Sequence, residues 1–273
     1  MNNFTTRTIT GFFYVITIVG SALLGQTVFA FLLLIITILS LNEFVSIVSN
    51  DKVKPALYPT IVAGGLIYSI LAAFAMRKTG VELLIVVIPL IFLLFIIELW
   101  RNNTNPFTNI AFSLLGIFYI AIPFGLLMYF FDPVNTRGAN HYGIVLGFLF
   151  ILWMNDIGAY IIGSLFGKHK LFERISPGKT WEGSIGGAFF ALLLAWGLSF
   201  IFVQLDVMHW MVLSSIIVLF GTLGDLVESM LKRSLGIKDS GTILPGHGGL
   251  LDRFDAVLLS VPFVFVYLAL FCR

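Results

Sequence analysis

Residues 143–166 read GIVLGFLFILWMNDIGAYIIGSLF, and this run decides the fold class. A membrane-spanning helix needs ~20 predominantly apolar residues in succession. The run supplies them with a single charged residue, Asp156, in its interior. An ionised carboxylate at that depth costs on the order of 2.5–3.5 kcal/mol on insertion scales. Asp156 therefore requires a cation, a metal or a water-filled cavity; the plainer alternatives are a protonated acid or a structural pair with a lysine. Gly158 and Gly163, in the same run, let a second helix approach closely.

Outward from it, eight more apolar runs occupy residues 10–24, 28–48, 60–76, 81–100, 109–131, 184–203, 208–227 and 256–271. The expectation is an all-α, polytopic integral membrane bundle of about nine transmembrane helices. Only 11% of the residues are charged and 59% are hydrophobic, whereas a soluble domain carries roughly 25% charged residues. The 273 residues suit one membrane-embedded domain, residues 1–273, with helices to about 140 as scaffold and about 143–273 as the catalytic part. The first run is short and follows Arg7, which leaves a signal peptide as an alternative. The first two runs also read as one helical hairpin turning at Gly25–Gln26.

The net charge of +2 gives no basis for nucleic-acid binding. A single cysteine, Cys272, allows neither an internal disulfide nor a cysteine-based metal site. With the N-terminus inside, twelve of the 16 basic residues fall on the inner side, and Arg77, Lys78, Arg137 and Arg273 on the outer. That bias orients the polar loops toward the cytoplasm. Without the eight basic residues from Lys168 to Arg253, the count is even. The loops after the sixth and eighth runs, separated by two crossings, share a side under either orientation.

Those two loops hold most of the polar chemistry. Residues 225–255 contain nine of the 30 charged side chains, five glycines and His247. Asp225, Glu228, Ser229 and Lys232 have offsets that place them on one helical face. Two carboxylates one turn apart are hard oxygen ligands suited to Mg²⁺, and Lys232 balances them or reaches a phosphate. Next comes a glycine-rich connection with Lys238, Asp239, His247, Gly248 and Gly249, where backbone amides can approach an anion. The final helix begins near Leu250 and points its N-terminus into that loop. Asp252 and Asp255 lie on its first turn with Arg253 between them; capping explains one of these acids more readily than both. The other loop reads KHKLFERISPGKTWEG over residues 168–183. Ser176-Pro177-Gly178-Lys179-Thr180 reads as a turn ending in a lysine and a hydroxyl, with Glu182 three residues after Lys179, a phosphate-handling set by residue type. Lys168, Lys170 and Arg174 suit contact with anionic headgroups. Glu43 and Glu98 are expected to be solvated boundary residues, and the RNNTN stretch at 101–105 an ordinary loop. Several carboxylates, several cations and a glycine-rich backbone, without a nucleophilic triad, form a set for metal-assisted phosphoryl or nucleotidyl transfer.

The pattern Ser229-x-Leu231-Lys232-Arg233-x4-Lys238-Asp239-x-Gly241-x2-Leu244-Pro245-x-His247-Gly248-Gly249-Leu250-x-Asp252-Arg253-Phe254-Asp255 resembles the signature of the phosphatidate cytidylyltransferases, the CDP-diacylglycerol synthases. Gly224-Asp225-x2-Glu228 and Ser176-Pro177-x-Lys179-Thr180-x-Glu182-Gly183 are similar to that family as well. The resemblance implies transfer of CMP from CTP to phosphatidate in the bilayer, with pyrophosphate released. It implies a Mg²⁺ enzyme, a second monovalent cation such as K⁺, a homodimer, and a bacterial inner membrane with the active-site loops in the cytoplasm. Asp225 and Asp252 are the implied metal ligands, with Asp156, Asp255 and Glu228 near them. Lys232, Lys238, His247 and Asp255 join the two aspartates as catalytic candidates. Ser176, Lys179, Thr180, Glu182, Arg233, Asp239, Gly248, Gly249 and Arg253 are candidates for binding substrate. The competing readings are another CTP-dependent lipid phosphotransferase, such as a polyprenol kinase, and an ion or solute transporter.

Overall fold

The computed structural model describes residues 3–131, 141–241, 243 and 248–272. His247, Arg137 and Arg273 lie outside the described residues. The chain is overwhelmingly helical, and eight of its described helical segments are long and apolar enough to cross a membrane. The protein is therefore a multi-pass helical membrane protein. The first helix, α1 (Asn3–Leu24), has a shorter apolar part, Thr8–Leu24.

The chain divides into two compact units. The first joins Met1–Tyr129 with Asp239–Phe254. Helix α1 packs on α2 (Gln26–Val48), and α2 on α3 (Leu57–Ala75). Between α1 and α2 the chain turns at Gly25, whose φ of 117° is a backbone state that favours glycine. A 3₁₀ turn (Val81–Val86) leads into α4 (Val87–Arg101), which packs on α3 and on α5 (Pro106–Gly116). A π-helical turn, Ile117–Ala121, joins α5 to α6 (Ile122–Leu127). Pro123 lacks the N–H that would continue an α-helical ladder, and a widened turn accommodates such a residue. Phe29, Leu41, Phe44, Ile67 and Phe124 are fully buried and form the core of this unit.

Two expectations are corrected here. Glu43 and Glu98 are buried, at 4% and 3% exposure, rather than solvated. The Glu98 carboxylate accepts from Arg101 Nη1 at 2.7 Å, Asn103 Nδ2 at 3.0 Å and Asn109 Nδ2 at 2.7 Å. Asn109 Oδ1 in turn accepts from the Lys54 amide at 2.7 Å. The asparagines at and beyond 101–105 thus act as ligands for a buried acid, not as an ordinary loop. Glu43 is held by a different set of donors, described below.

The second unit joins Phe130–Lys238 with Asp255–Arg273. It contains α7 (Gly143–Phe166), a hairpin of β1 (Lys170–Phe172) and β2 (Ser176–Thr180), α8 (Trp181–Ile201), α9 (Val207–Ser234) and most of α10 (Leu251–Phe271). The segment 176–180, expected as a turn, is a strand paired antiparallel to β1, with Lys170 opposite Thr180 and Phe172 opposite Ser176. The turn falls at 173–175 instead. Pro177 is tolerated because a two-stranded ribbon has only edges.

Small residues set the approach of α7 and α8. A Cβ on Gly158 would stand 2.9 Å from Phe190 Cδ2 and 3.1 Å from the Gly187 Cα; one on Gly183 would stand 2.8 Å from the Ala159 carbonyl oxygen. The close approach anticipated for Gly158 and Gly163 is thus a packing seam. Helices α9 and α10 meet as tightly: a Cβ on Gly224 would stand 2.6 Å from the Asp255 carbonyl oxygen. Asp225 follows directly, so this contact fixes the height of its side chain along α9.

Candidate active site

Four elements of the second unit build a cavity of about 410 Å³. Helix α7 contributes Asn155 and Asp156, β2 and the start of α8 contribute Lys179, Thr180 and Ser184, and α9 contributes Thr222 and Asp225. The first half of α7 is buried on nearly every face, whereas Asp156 in its second half is exposed and lines this cavity. Lys179 reaches across to α9: its Nζ lies 2.6 Å from Asp225 Oδ2 and 3.5 Å from the Thr222 carbonyl oxygen. The loop after α7 and the end of α9 thus share one side, as the crossing count required.

Local structure holds Lys179 in place. Thr180 is the N-cap of α8 and accepts from the Gly183 amide at 3.1 Å. The Trp181 amide donates to the His169 carbonyl at 2.9 Å, closing the hairpin onto α8. Glu182 points to the hairpin, not to the cavity. It contacts His169 Nδ1 at 2.6 Å and accepts from the amides of Lys168 and His169. Ser176 lies at the far end of β2, also away from the cavity lining.

The face predicted on α9 is present. Ser229 Oγ donates to Asp225 Oδ1 at 3.3 Å, and one turn on Lys232 Nζ lies 2.5 Å from Glu228 Oε2. Glu228 is buried at 2% exposure, so Lys232 neutralises an acid inside the unit rather than projecting into solvent. Asp255 feels the negative charge of Asp225, Glu228 and Asp156, which places four carboxylates within electrostatic reach of one another. Arg233 is exposed and donates to the Ile237 carbonyl at 3.3 Å, and Lys238 is exposed.

Among the described residues no three acidic or histidine side chains converge on a single point to form a metal site. Mg²⁺ is commonly held by one or two carboxylates with substrate phosphates and water filling the rest. Asp156 and Asp225 fit that pattern as hard oxygen donors lining one cavity, in a carboxylate cluster whose mutual repulsion a cation relieves.

The first unit holds the other half of the signature. Asp252 Oδ2 accepts from the Gly249 amide at 2.9 Å and from the Ser240 amide at 3.1 Å, with Ser240 Oγ also 3.1 Å away. Gly248, at φ 85°, turns the chain into α10; a Cβ there would stand 2.7 Å from Asp252 Oδ2. Asp239 and Arg253 are exposed. The sequence reading missed Asn155, Ser240 and Glu43. Asn155 is buried with its Oδ1 lacking a hydrogen-bond partner; its position beside Asp156 was the available signal.

A multi-pass helical membrane protein with charged and hydroxyl side chains lining a cavity among α7, α8 and α9 is the class that fold and site define. The sequence profile of the cytidylyltransferase family matches residues 5–271. The chain is similar to the phosphatidate cytidylyltransferase of Staphylococcus aureus (strain COL), with 36% identity over 265 residues, 96% of this chain and 98% of the relative. It is 44% identical over 179 residues to the Staphylococcus saprophyticus protein of that name, covering 65% of this chain and 66% of the relative. The Staphylococcus epidermidis protein of that name is 46% identical over 169 residues, 61% of this chain and 62% of its own. The chain belongs to the cytidylyltransferase family.

Proposed function

We propose that this protein transfers CMP from CTP to phosphatidate, forming CDP-diacylglycerol and pyrophosphate. The observation that carries the reading is the Lys179–Asp225 pair facing Asp156 across one cavity, in a chain whose relatives are named for this reaction. A phosphate monoester has a second pKa near ~6 and is largely a dianion at neutral pH. The lipid phosphate thus attacks the α-phosphorus of CTP without a strong base, consistent with the lack of a triad in the sequence. The protein's task is to bring two polyanions together in line with the departing pyrophosphate. Lys179 supplies positive charge at the cavity wall, with Lys238, Arg233 and Arg253 as exposed cations. Thr222, Thr180 and Ser184 lend the wall polar groups. Asp156, Asp225 and Asp255 of the second unit are proposed to hold Mg²⁺, which would neutralise phosphate charge; for Asp252 the metal role rests on the family resemblance alone. A monovalent cation, a homodimer and cytoplasm-facing loops in an inner membrane complete the reading; these rest on the family resemblance and on the charge bias. The exposed Trp181 and Phe172 beside Lys168 and Lys170 suit a headgroup-level position for the hairpin.

The test is direct. Purified protein in mixed micelles with phosphatidate, CTP and Mg²⁺ should release pyrophosphate and form the CDP-lipid, and Asp225→Asn should abolish both. A sample with intact fold that forms neither product removes the reading, and full activity of Asp225→Asn removes the metal assignment.

A further inference from the structure

We infer that Glu43 is a positioning residue for the signature loop, and that it acts through Ser240 and the start of α10 on Asp252. The inference rests on the proposed role of Asp252 in the reaction.

Glu43 lies near the end of α2, about two hundred residues from the signature in sequence. Its side chain is buried, and both carboxylate oxygens are used. Oε2 accepts from the Leu250 amide at 2.9 Å, and Oε1 accepts from the Leu251 amide at 3.1 Å and from the Ser240 hydroxyl. The first amides of a helix lack intrahelical partners and carry the positive end of its dipole. Glu43 therefore supplies, from another helix, the anion that caps α10. Ser240 is the hinge of the arrangement. Its hydroxyl donates to Glu43, its Oγ lies 3.1 Å from Asp252 Oδ2, and its amide donates to that same oxygen. Asp252 is thereby fixed in rotamer by a shell whose deepest member is Glu43.

Two glycines of the signature gain their reason from this acid. A Cβ on Gly249 would collide with Glu43 Oε1 and Ser240 Oγ, and one on Gly241 would stand 3.0 Å from the Glu43 carboxyl. At Gly249 the carboxylate leaves no room for a side chain, and at Gly241 it would have to give by a few tenths of an ångström. A mere solubilising acid at a helix end would show neither the three donors nor the glycine cradle.

Glutamine at position 43 turns an amide toward at least one of these N–H or O–H donors, so it cannot satisfy them all. The loss of such outer-shell partners typically lowers metal affinity or activity about 10–100-fold. The experiment compares Glu43→Gln, Ser240→Ala, Ser240→Thr and Asp252→Asn in phosphatidate mixed micelles. It reads kcat and KM for CTP, the Mg²⁺ concentration at half-activity, and amide hydrogen exchange of peptides covering 239–252 and α2. For Glu43→Gln the expected result is a fall in kcat of about 10–100-fold and a higher half-activating Mg²⁺. Exchange should rise in 239–252 while α2 stays protected. Ser240→Ala should shift the Mg²⁺ profile in the same direction by a smaller factor, and Ser240→Thr should restore it. Wild-type kcat and Mg²⁺ dependence in Glu43→Gln, with Asp252→Asn inactive, overturn the positioning role alone. If Glu43→Gln cannot be purified, a wild-type Mg²⁺ profile in Ser240→Ala overturns it, because the acid then serves folding only. Full activity in Asp252→Asn would overturn the underlying role of Asp252, and the inference with it.

Discussion

Replacing Lys179 with Met separates what the Lys179–Asp225 pair does for the fold from what it does for substrate. At 2.6 Å the gross attraction is about 6 kcal/mol with an effective dielectric of ~20. Little of that is net stability. The two side chains are 25% and 39% exposed, so water screens the pair and solvates each charge alone. Pairs of this kind contribute roughly 0–1 kcal/mol. The hairpin keeps its other anchors: the β1–β2 pairing, the Thr180 cap and the Trp181 amide bond to His169. Lys179→Met should therefore leave unfolding in denaturant within about 1 kcal/mol of the parent. Turnover should respond far more, because in the proposed reaction the lysine stands where the charge of two phosphates accumulates. Loss of one such preorganised group costs about 10²–10³ in rate. The assay is pyrophosphate release in mixed micelles, with CTP and phosphatidate varied separately. A kcat/KM within about threefold of the parent for both substrates, less than ~1 kcal/mol of transition-state energy, would refute the reasoning and leave Lys179 as a hairpin tether. A large drop in stability would refute the partition between fold and function.

Three further outcomes follow from the packing. Gly224→Ala forces a methyl against the Asp255 carbonyl oxygen at 2.6 Å; overpacking of this kind costs about 1–3 kcal/mol, measurable as a lower denaturation midpoint, with turnover falling because Asp225 is displaced. Gly249→Ala should reproduce the loss expected on altering Glu43, since its methyl meets Glu43 and Ser240. Combined with Glu43→Ala its effect on turnover should be less than multiplicative, and independent effects would argue that the two do not share one contact. Glu98→Gln should cost about 1–3 kcal/mol of stability by leaving a buried donor among Arg101, Asn103 and Asn109 unsatisfied; the folded fraction should retain the parent's Mg²⁺ profile, which makes it the control for Glu43.

The contrast between these two acids shows what a linear reading can reach. Spans were legible because a bilayer imposes one length and one composition on every crossing, so each helix declares itself locally. The α9 face was legible for a similar reason: offsets of three and four residues are local, and the Ser229–Asp225 and Lys232–Glu228 contacts obey them. The meeting of Lys179 with Asp225 followed from counting crossings, which needs only parity. Glu43 and Glu98 escaped because a single acid near a helix end has the same local context whether water or a loop receives it. For Glu98 the receivers come within the next eleven residues, but asparagines are also common in loops, so they pointed to a turn as readily as to a ligand shell. For Glu43 the donors come from Ser240, Leu250 and Leu251, and nothing in α2 encodes them. The signal lay instead in the partner segment, where Gly241 and Gly249 flank the loop. Those glycines give the backbone room to approach an anion, and one anion beside them is a carboxylate of the protein itself. A glycine-rich loop in a greasy chain therefore carries two demands at once, an internal anion to shape it and an external one to act on. A lone buried acid elsewhere in the sequence is the natural candidate for the first.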